Sequence, residues 1–454
     1  VETLKPRIYI GCVFSLCALF TAPVNAQLQR VHRPRYELVE IPSLHPAGYA
    51  YAGGLNQRGD VCGTSMAANG MSEHAFLFAD GVLSDAHTFW NTYSWGEEIT
   101  DDRAVLGYSN VSSTIIHAFR WRAGVVTDLH GGPHNYSRTM SANRHGDHGG
   151  LVNGFFGGFV TRYRGYVDFG APAVTIIDTF GGDESRVEDL NDRRQAVGMA
   201  RDANGKLRAF LWEQDVLTDL GDLGGGAAWA RAINEEGTKI VGRSKVASED
   251  FHAFLMDANG MHDLGTLGGL ESEARGINHL GWIVGGADRA DGLQRATIWI
   301  DGHAIDLDAL VAEGTAWVLT GAHAVNDLGQ VVGTGQKNGV QRPYRLDPIE
   351  ARPRHTPARP AIAGMSATSH LRGATPGASV ELWASTSTGQ STSPCGARLK
   401  LNAPILVTSA LADAEGRCEF TVQLNSNHQG LTVHTQAVDT QGCRASSLIT
   451  QTID

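Results

Sequence analysis

The stretch "DLGTLGG", Asp263 to Gly269, has a near-copy, "DLGDLGG", at Asp219 to Gly225, 44 residues earlier. Its leucines, acid and paired glycines suit neither a long helix nor a plain strand. Recurrence at a fixed distance makes it part of an internal repeat. The glycines supply the positive φ angles that a tight reversal requires.

The pattern apolar-Asn-x-x-Gly-x-x-x-Gly recurs along the chain. It reads "LNQRGDVCG" to Gly63, "ITDDRAVLG" to Gly107, "ANRHGDHGG" to Gly150, "LNDRRQAVG" to Gly198, "INEEGTKIVG" to Gly242, "INHLGWIVG" to Gly285 and "VNDLGQVVG" to Gly333. The steps are 44, 43, 48, 44, 43 and 48 residues, which makes seven copies. A second element follows the glycine: "HAFLF" at His74, "HAFRW" at His117, "RAFLW" at Arg208, "HAFLM" at His252, "RATIW" at Arg295 and "RPYRL" at Arg342. Next comes a short run ending in acid, at Asp85, Asp128, Asp178, Asp219, Asp263 and Asp306.

Each copy reads as four short strands, a unit that cannot bury its own faces. Units of ~40–45 residues with four strands are the mark of β-propeller blades. The seventh copy stops after its third strand, at "RPYRLDP", while "RYELVEIPSL" from Arg35 resembles the missing fourth. The expected fold is all-β, with a closed seven-bladed β-propeller over residues 27–347. Residues near Tyr36 to Ile41 should pair beside Arg342 to Leu346.

The 55 glycines agree with many turns and short strands. A net charge of −11 and no Lys/Arg cluster argue against a nucleic-acid partner. Residues 1–26 read as a secretory signal peptide: Lys5 and Arg7, then "IYIGCVFSLCALF", then "VNA" before Gln27. That apolar run is too short for a membrane span, so a secreted or cell-surface protein is expected. Cleavage leaves Cys62, Cys395, Cys418 and Cys443, which allow three pairings that spacing alone does not choose among.

The motifs "HAF", "DLGTLGG", "ARGIN" and "GWIVG" resemble the extracellular HAF-repeat family over roughly residues 36 to 347. The likeness is strong from Arg208 to Gly285 and weak in the third copy, where "FVTRYRG" replaces the HAF triplet. It implies an exported bacterial repeat protein and says little about chemistry. From Pro348 the chain turns proline-rich, so residues 348–362 read as a linker. Residues 363–454 follow with alternating strands such as "ASVELWAST" and "CEFTVQL", a small Ig-like β-sandwich. This part resembles an exported bacterial repeat-type sandwich carrying "GATPGA", a Cys-Gly and "GC-x-x-S". That resemblance implies a Cys395–Cys443 disulfide, leaves Cys418 as an extra thiol, and has Cys62 unpaired in the first blade.

The recurring His and Asp, such as His252 with Asp263, read as structural, because a catalytic site is rarely copied around a ring. "DANG" at Asp202 and Asp257 reads as a hairpin turn rather than a calcium loop. His130, His134, His145, Asp147 and His148 are weak metal candidates whose spacing fits no zinc pattern. No cofactor is expected. The sharper signal lies before the recurrent Asn. Two and four places before it the later copies hold small residues, as in an inner strand crowded at an axis. Five places before it stand Tyr51, Trp95, Arg138, Arg186, Trp229 and Glu273. Three places before it stand Glu97, Glu188, Arg231, Arg275 and His323. These varied aromatic and charged types are the candidate ligand-binding residues, with packing and inter-blade salt bridges as the competing explanation.

The expected function is a monomeric, non-catalytic binding module for an extracellular glycan or protein segment. The ligand should meet the face where one blade's fourth strand turns into the next blade's first, with Trp95 and Trp229 as anchors. The alternative is a lyase or hydrolase of extracellular polysaccharide that uses Glu97, Glu188 and His323 near the axis. Paired acids in one deep axial pocket favour the enzyme. A shallow face with exposed aromatics favours the binder.

Overall fold

A computed structural model describes residues 34–453, apart from 88, 90–91, 131–135, 156–160, 171–172, 312–315, 350–353, 357–364 and short stretches after 372. The signal peptide expected over 1–26, together with His134 and Cys443, lies outside the described residues. Among the described residues no helix is long and apolar enough to cross a membrane.

The protein is an all-β, propeller-like chain of successive four-stranded antiparallel sheets. The first strands of these sheets are Ala50–Leu55, Ser94–Ile99, Ser137–Ala142, Gly181–Leu190, Gly224–Ile233, Gly268–Ile277 and Trp317–Val325. Each lies against the first strand of the next sheet, and Trp317–Val325 lies against Ala50–Leu55. The last sheet takes its fourth strand from the other end of the chain. Arg35–Glu40 pairs antiparallel with Val340–Ile349, Leu38 opposite Leu346. Tyr36 and Ile41 are fully buried there.

Asp263 accepts from the main-chain N–H of Gly265 at 2.7 Å and from His252 Nδ1 at 2.9 Å. It therefore caps the turn and ties it to the third strand. Asp85, Asp128 and Asp219 cap their turns in the same way. Gly268 and Gly269 do not sit in the turn. They open the inner strand, Gly268 at φ +100° and Gly269 because a Cβ would strike the Arg289 carbonyl.

The recurrent Asn builds a ring of inter-sheet hydrogen bonds. Its Nδ2 donates to a main-chain oxygen in the next sheet: Asn56 to Thr100, Asn143 to Asn191, Asn191 to Asn234, Asn278 to Asn326, and Asn326 back to Asn56. Its Oδ1 accepts main-chain N–H groups of its own turn, as Asn56 does from Arg58 and Asp60. Asn234 departs: its turn is one residue longer, and its Nδ2 goes to Glu236 and Thr238 instead. Between sheets, the third-strand aromatics Phe76, Phe119, Phe210 and Phe254 are fully buried.

The C-terminal part contains Ser366–Arg372 paired with Cys418–Gln423, and Ser379–Ser385 between Ile405–Leu411 and Thr432–Asp439. Leu371 and Phe420 of one sheet share a core with Val380, Leu382 and Ala437 of the other. The stretch expected as a plain linker is partly paired: Pro348 and Ile349 extend a strand, and Arg354–His355 pairs with Leu371 and Arg372. Arg372 binds Asp347 at 2.6 Å and Arg58 binds Glu419 at 3.1 Å, so this part is ion-paired to the repeat region.

Candidate functional site

Every inner strand shifts register once near its end, for example between Gly96 and Glu98, Val187 and Asp189, and Ala230 and Ala232. Such a bulge leaves one residue without a ladder partner and re-aims its side chain. That residue is the one three places before the turn Asn: Gly53 or its neighbour, Glu97, Met140, Glu188, Arg231, Arg275 and His323. These residues line one axial cavity of about 450 Å³. Glu98 and Asp189 join them from the next position, and Gln57, Asp101, Arg144, Glu235, His279 and Asp327 line it from the turns.

The cavity wall is electrically divided. Glu97 and Glu188 stand on the second and fourth sheets; Arg231, Arg275 and His323 stand on the fifth to seventh. Arg231 donates to Glu188 at 3.0 Å and to Glu273 at 2.8 Å, and Arg275 donates to Glu273 at 3.1 Å. His323 has both ring nitrogens engaged, Nδ1 with Arg275 at 3.4 Å and Nε2 with Thr334 at 3.2 Å. Burial and the Arg275 charge push it down to about 3, so it stays neutral. It positions its neighbours and is not the free acid–base group that the enzyme alternative required.

Burial acts in the opposite sense on the acids. The Glu97 carboxyl is pushed up to about 7 by burial, against the pull of Arg138 and Arg186. Glu98 is pushed up to about 8 by burial, with Asp189 and Glu97 adding to it. Asp189 is raised to about 6 by burial although Ile233, Ser141 and Leu190 all donate to it.

The residues five places before the Asn do not line this cavity. They form a lattice at the other end of the inner strands. Trp229 has the Arg231, Arg243 and Arg186 guanidiniums at 4.0, 5.2 and 5.5 Å from its ring centre. Trp95 is sandwiched between Tyr93 at 5.9 Å and Tyr108 at 4.8 Å. Both indoles therefore have their faces occupied, which corrects their expected role as open anchors. The open rings are Tyr51, Tyr93 and Tyr163, each about two-fifths exposed (42%, 39% and 39%).

These rings belong to one strip. Tyr49 packs on Tyr51 at 5.6 Å and donates to Glu73 at 2.7 Å, and Glu73 bridges to Tyr93 through the backbone. Tyr93, Trp95 and Tyr108 stack in turn. Arg138 lies over Tyr108 at 4.0 Å and over Tyr136 at 5.1 Å, and Tyr136 meets Tyr163 edge-on at 5.4 Å. Tyr49, Tyr93 and Tyr136 occupy one position in three successive repeats, seven places before the turn residue. The signal was present in "YAY", "YSW" and "YSR", but only the second aromatic or charged residue was singled out. Glu98 and Asp189 were missed as well. Their signal was a departure from the small residues that fill that position in later copies.

The proposed metal ligands are not brought together. His130 stacks on His117 at 4.0 Å, His145 and His148 reach towards Asp192 and Asp168, and Asp147 binds Arg194. Each is drawn to a different partner, His145 and Asp147 to residues of the next sheet and His148 to an adjacent strand of its own. Among the described residues, the one group of potential ligands within reach of a common ion is His74, Asp85 and His87. It is the recurring His–Asp pair of the first sheet with one histidine added. Cys62 is buried and accepts from the Gly54 N–H at 3.2 Å; burial pushes its thiol up.

No family model matches the chain, and no curated protein matches it. Similar solved structures include a fungal alcohol oxidase of the AA5 family in complex with copper, 12% identical, covering 93% of this chain and 99% of that one at a TM-score of 0.46. The β-propeller domain of the trilobed protease from Pyrococcus furiosus is 13% identical, covering 66% of this chain and 96% of that one at 0.44. TolB from Acinetobacter baumannii is 12% identical, covering 68% and 65% at 0.36. At such identities and scores these likenesses carry no argument about chemistry.

Proposed function

We propose that the chain is an exported HAF-type repeat protein, a closed seven-bladed β-propeller followed by an Ig-like sandwich, and that it binds an extracellular glycan along the tyrosine strip of its first three blades. The observation that carries this reading is the strip itself. Tyr49, Tyr93 and Tyr136 repeat at one position, and Tyr51, Tyr93 and Tyr163 hold large rings at 39–42% exposure. Inter-blade packing buries aromatics, as it does Phe76 and Phe119, and does not call for a row of half-open rings.

Such rings offer flat apolar faces for the C–H faces of sugars, while phenol hydroxyls and the Arg138 guanidinium stand beside them for sugar hydroxyls. A tyrosine also fixes only two side-chain angles, so little entropy is lost on binding. Affinity electrophoresis through gels containing neutral or acidic polysaccharides tests the reading. At least one polysaccharide should retard the protein, and free oligosaccharide of the same kind should release it. Unretarded migration in every gel would sink it.

A further inference from the structure

The strip leaves the axial cavity unused, and the four acids that reach it from the inner strands are not equivalent. Asp189 is saturated: Ser141 and Leu190 donate to Oδ1, and Ile233 donates to Oδ2. Glu98 accepts from Ile99 and is packed so close to Gly54 that a Cβ there would come within 2.8 Å of it. Glu188 has one oxygen on Arg231. Its Oε1 makes no hydrogen bond but lies 3.5 Å from the Arg186 guanidinium, and the side chain, 6% exposed, lines the cavity. Glu97 has no protein partner among the described residues, and it faces the same cavity from two sheets away. Met140 occupies the corresponding place on the sheet between theirs.

We propose that the axial cavity is a second site, which hydrolyses a glycosidic bond with Glu97 as proton donor and Glu188 as the carboxylate that activates water. The substrate class rests on the glycan reading above; the acid–base pairing does not. In the step, the Glu97 proton passes to the leaving glycosidic oxygen as its bond to the anomeric carbon breaks. A water oxygen bonds to that carbon, and Glu188 takes the water's proton. Solvent then returns a proton to Glu97 and removes one from Glu188, so only water is consumed. Two carboxyls held in different protonation states by their surroundings are what this chemistry needs. Glu97 has no cation bonded to it and its desolvation favours the protonated form, whereas Glu188 is ion-paired with Arg231 and Arg186. The volume is at the size of a small-ligand pocket, enough for one or two sugar rings.

The test is product release by residues 27–454 from a panel of nitrophenyl glycosides and soluble polysaccharides between pH 4 and 9. Hydrolysis of at least one substrate is expected, with kcat/KM falling above about pH 7 as Glu97 loses its proton. Glu97→Gln should lower kcat at least ~100-fold while its retardation in polysaccharide gels is unchanged. Tyr51→Ala with Tyr93→Ala should lose retardation in the same gels. No product from any substrate at any pH overturns the proposal without touching the binding reading. Full activity in Glu97→Gln overturns it as well. Should that variant fail to fold, the wild-type pH profile decides: a rate that does not fall above neutrality excludes Glu97 as the donor.

Discussion

Asn326 donates from Nδ2 to the main-chain oxygen of Asn56 at 3.0 Å, across 270 residues of sequence. The same bond joins other neighbouring sheets, so the first and last sheets are joined as ordinary neighbours are. Substituting Asp keeps the oxygen that caps the turn and removes the donor. Asn326→Asp and Asn191→Asp should each cost ~1–3 kcal/mol, because a buried carbonyl loses its partner. Asn234→Asp should cost less, since its Nδ2 bonds only within its own turn. Urea unfolding of the three variants checks the order.

The N-terminal strand closes the last sheet, with Tyr36 and Ile41 fully buried in the seam. Removing residues 34–44 bares the edge of Val340–Ile349 and should promote association as well as lower Tm. Calorimetry together with light scattering reads both effects. An unchanged Tm would mean that the seam contributes nothing.

Gly242 lies where a Cβ would strike the Trp229 carbonyl, beside the bulge of its inner strand. Gly242→Ala should therefore prevent folding or cost more than ~3 kcal/mol, since backbone must move. Gly124, at φ +86° with open space around it, is the control. Gly124→Ala should cost only the ~1–2 kcal/mol of a left-handed alanine.

Glu98 holds its proton in the folded state up to about pH 8, above the ~4.3 of an exposed glutamate. A raised folded value means that its contribution is fully present below about pH 4 and is lost as pH rises through about 8. Tm should fall between pH 5 and 9. Glu98→Gln should flatten that fall and melt higher than the wild type at pH 9. A steeper fall in the variant would refute the assignment.

Much of the fold was legible because the repeat copies its constraints. The turn Asn, the Gly crowded by a carbonyl and the capping Asp serve the same contacts in most copies, so each shows as a period in the sequence. The site was only half legible. Glu97, Glu188, Arg231, Arg275 and His323 stood out as variation at a fixed position, and they do line one cavity. That this position is a bulge, and so aims its side chain differently from its neighbours, depends on pairing that a single strand does not reveal. For the same reason Trp95 and Trp229 looked like open faces. Among their covering groups, Tyr108 and Arg243 come from the adjacent strand. His130, His145 and His148 are near in sequence yet lie against separate partners.

Glycan binding by the first three blades is proposed to run through their half-open tyrosines. The most direct measurement is a glycan array probed with residues 27–454 beside the Tyr51→Ala, Tyr93→Ala and Tyr163→Ala triple variant, with melting curves to show that both are folded. The wild type should bind a defined set of glycans, and the variant should lose at least ~30-fold in affinity for the same set, since anchors of this kind each cost ~2 kcal/mol or more when removed. A wild type that binds no glycan, or a folded variant that binds the same set equally well, would contradict it.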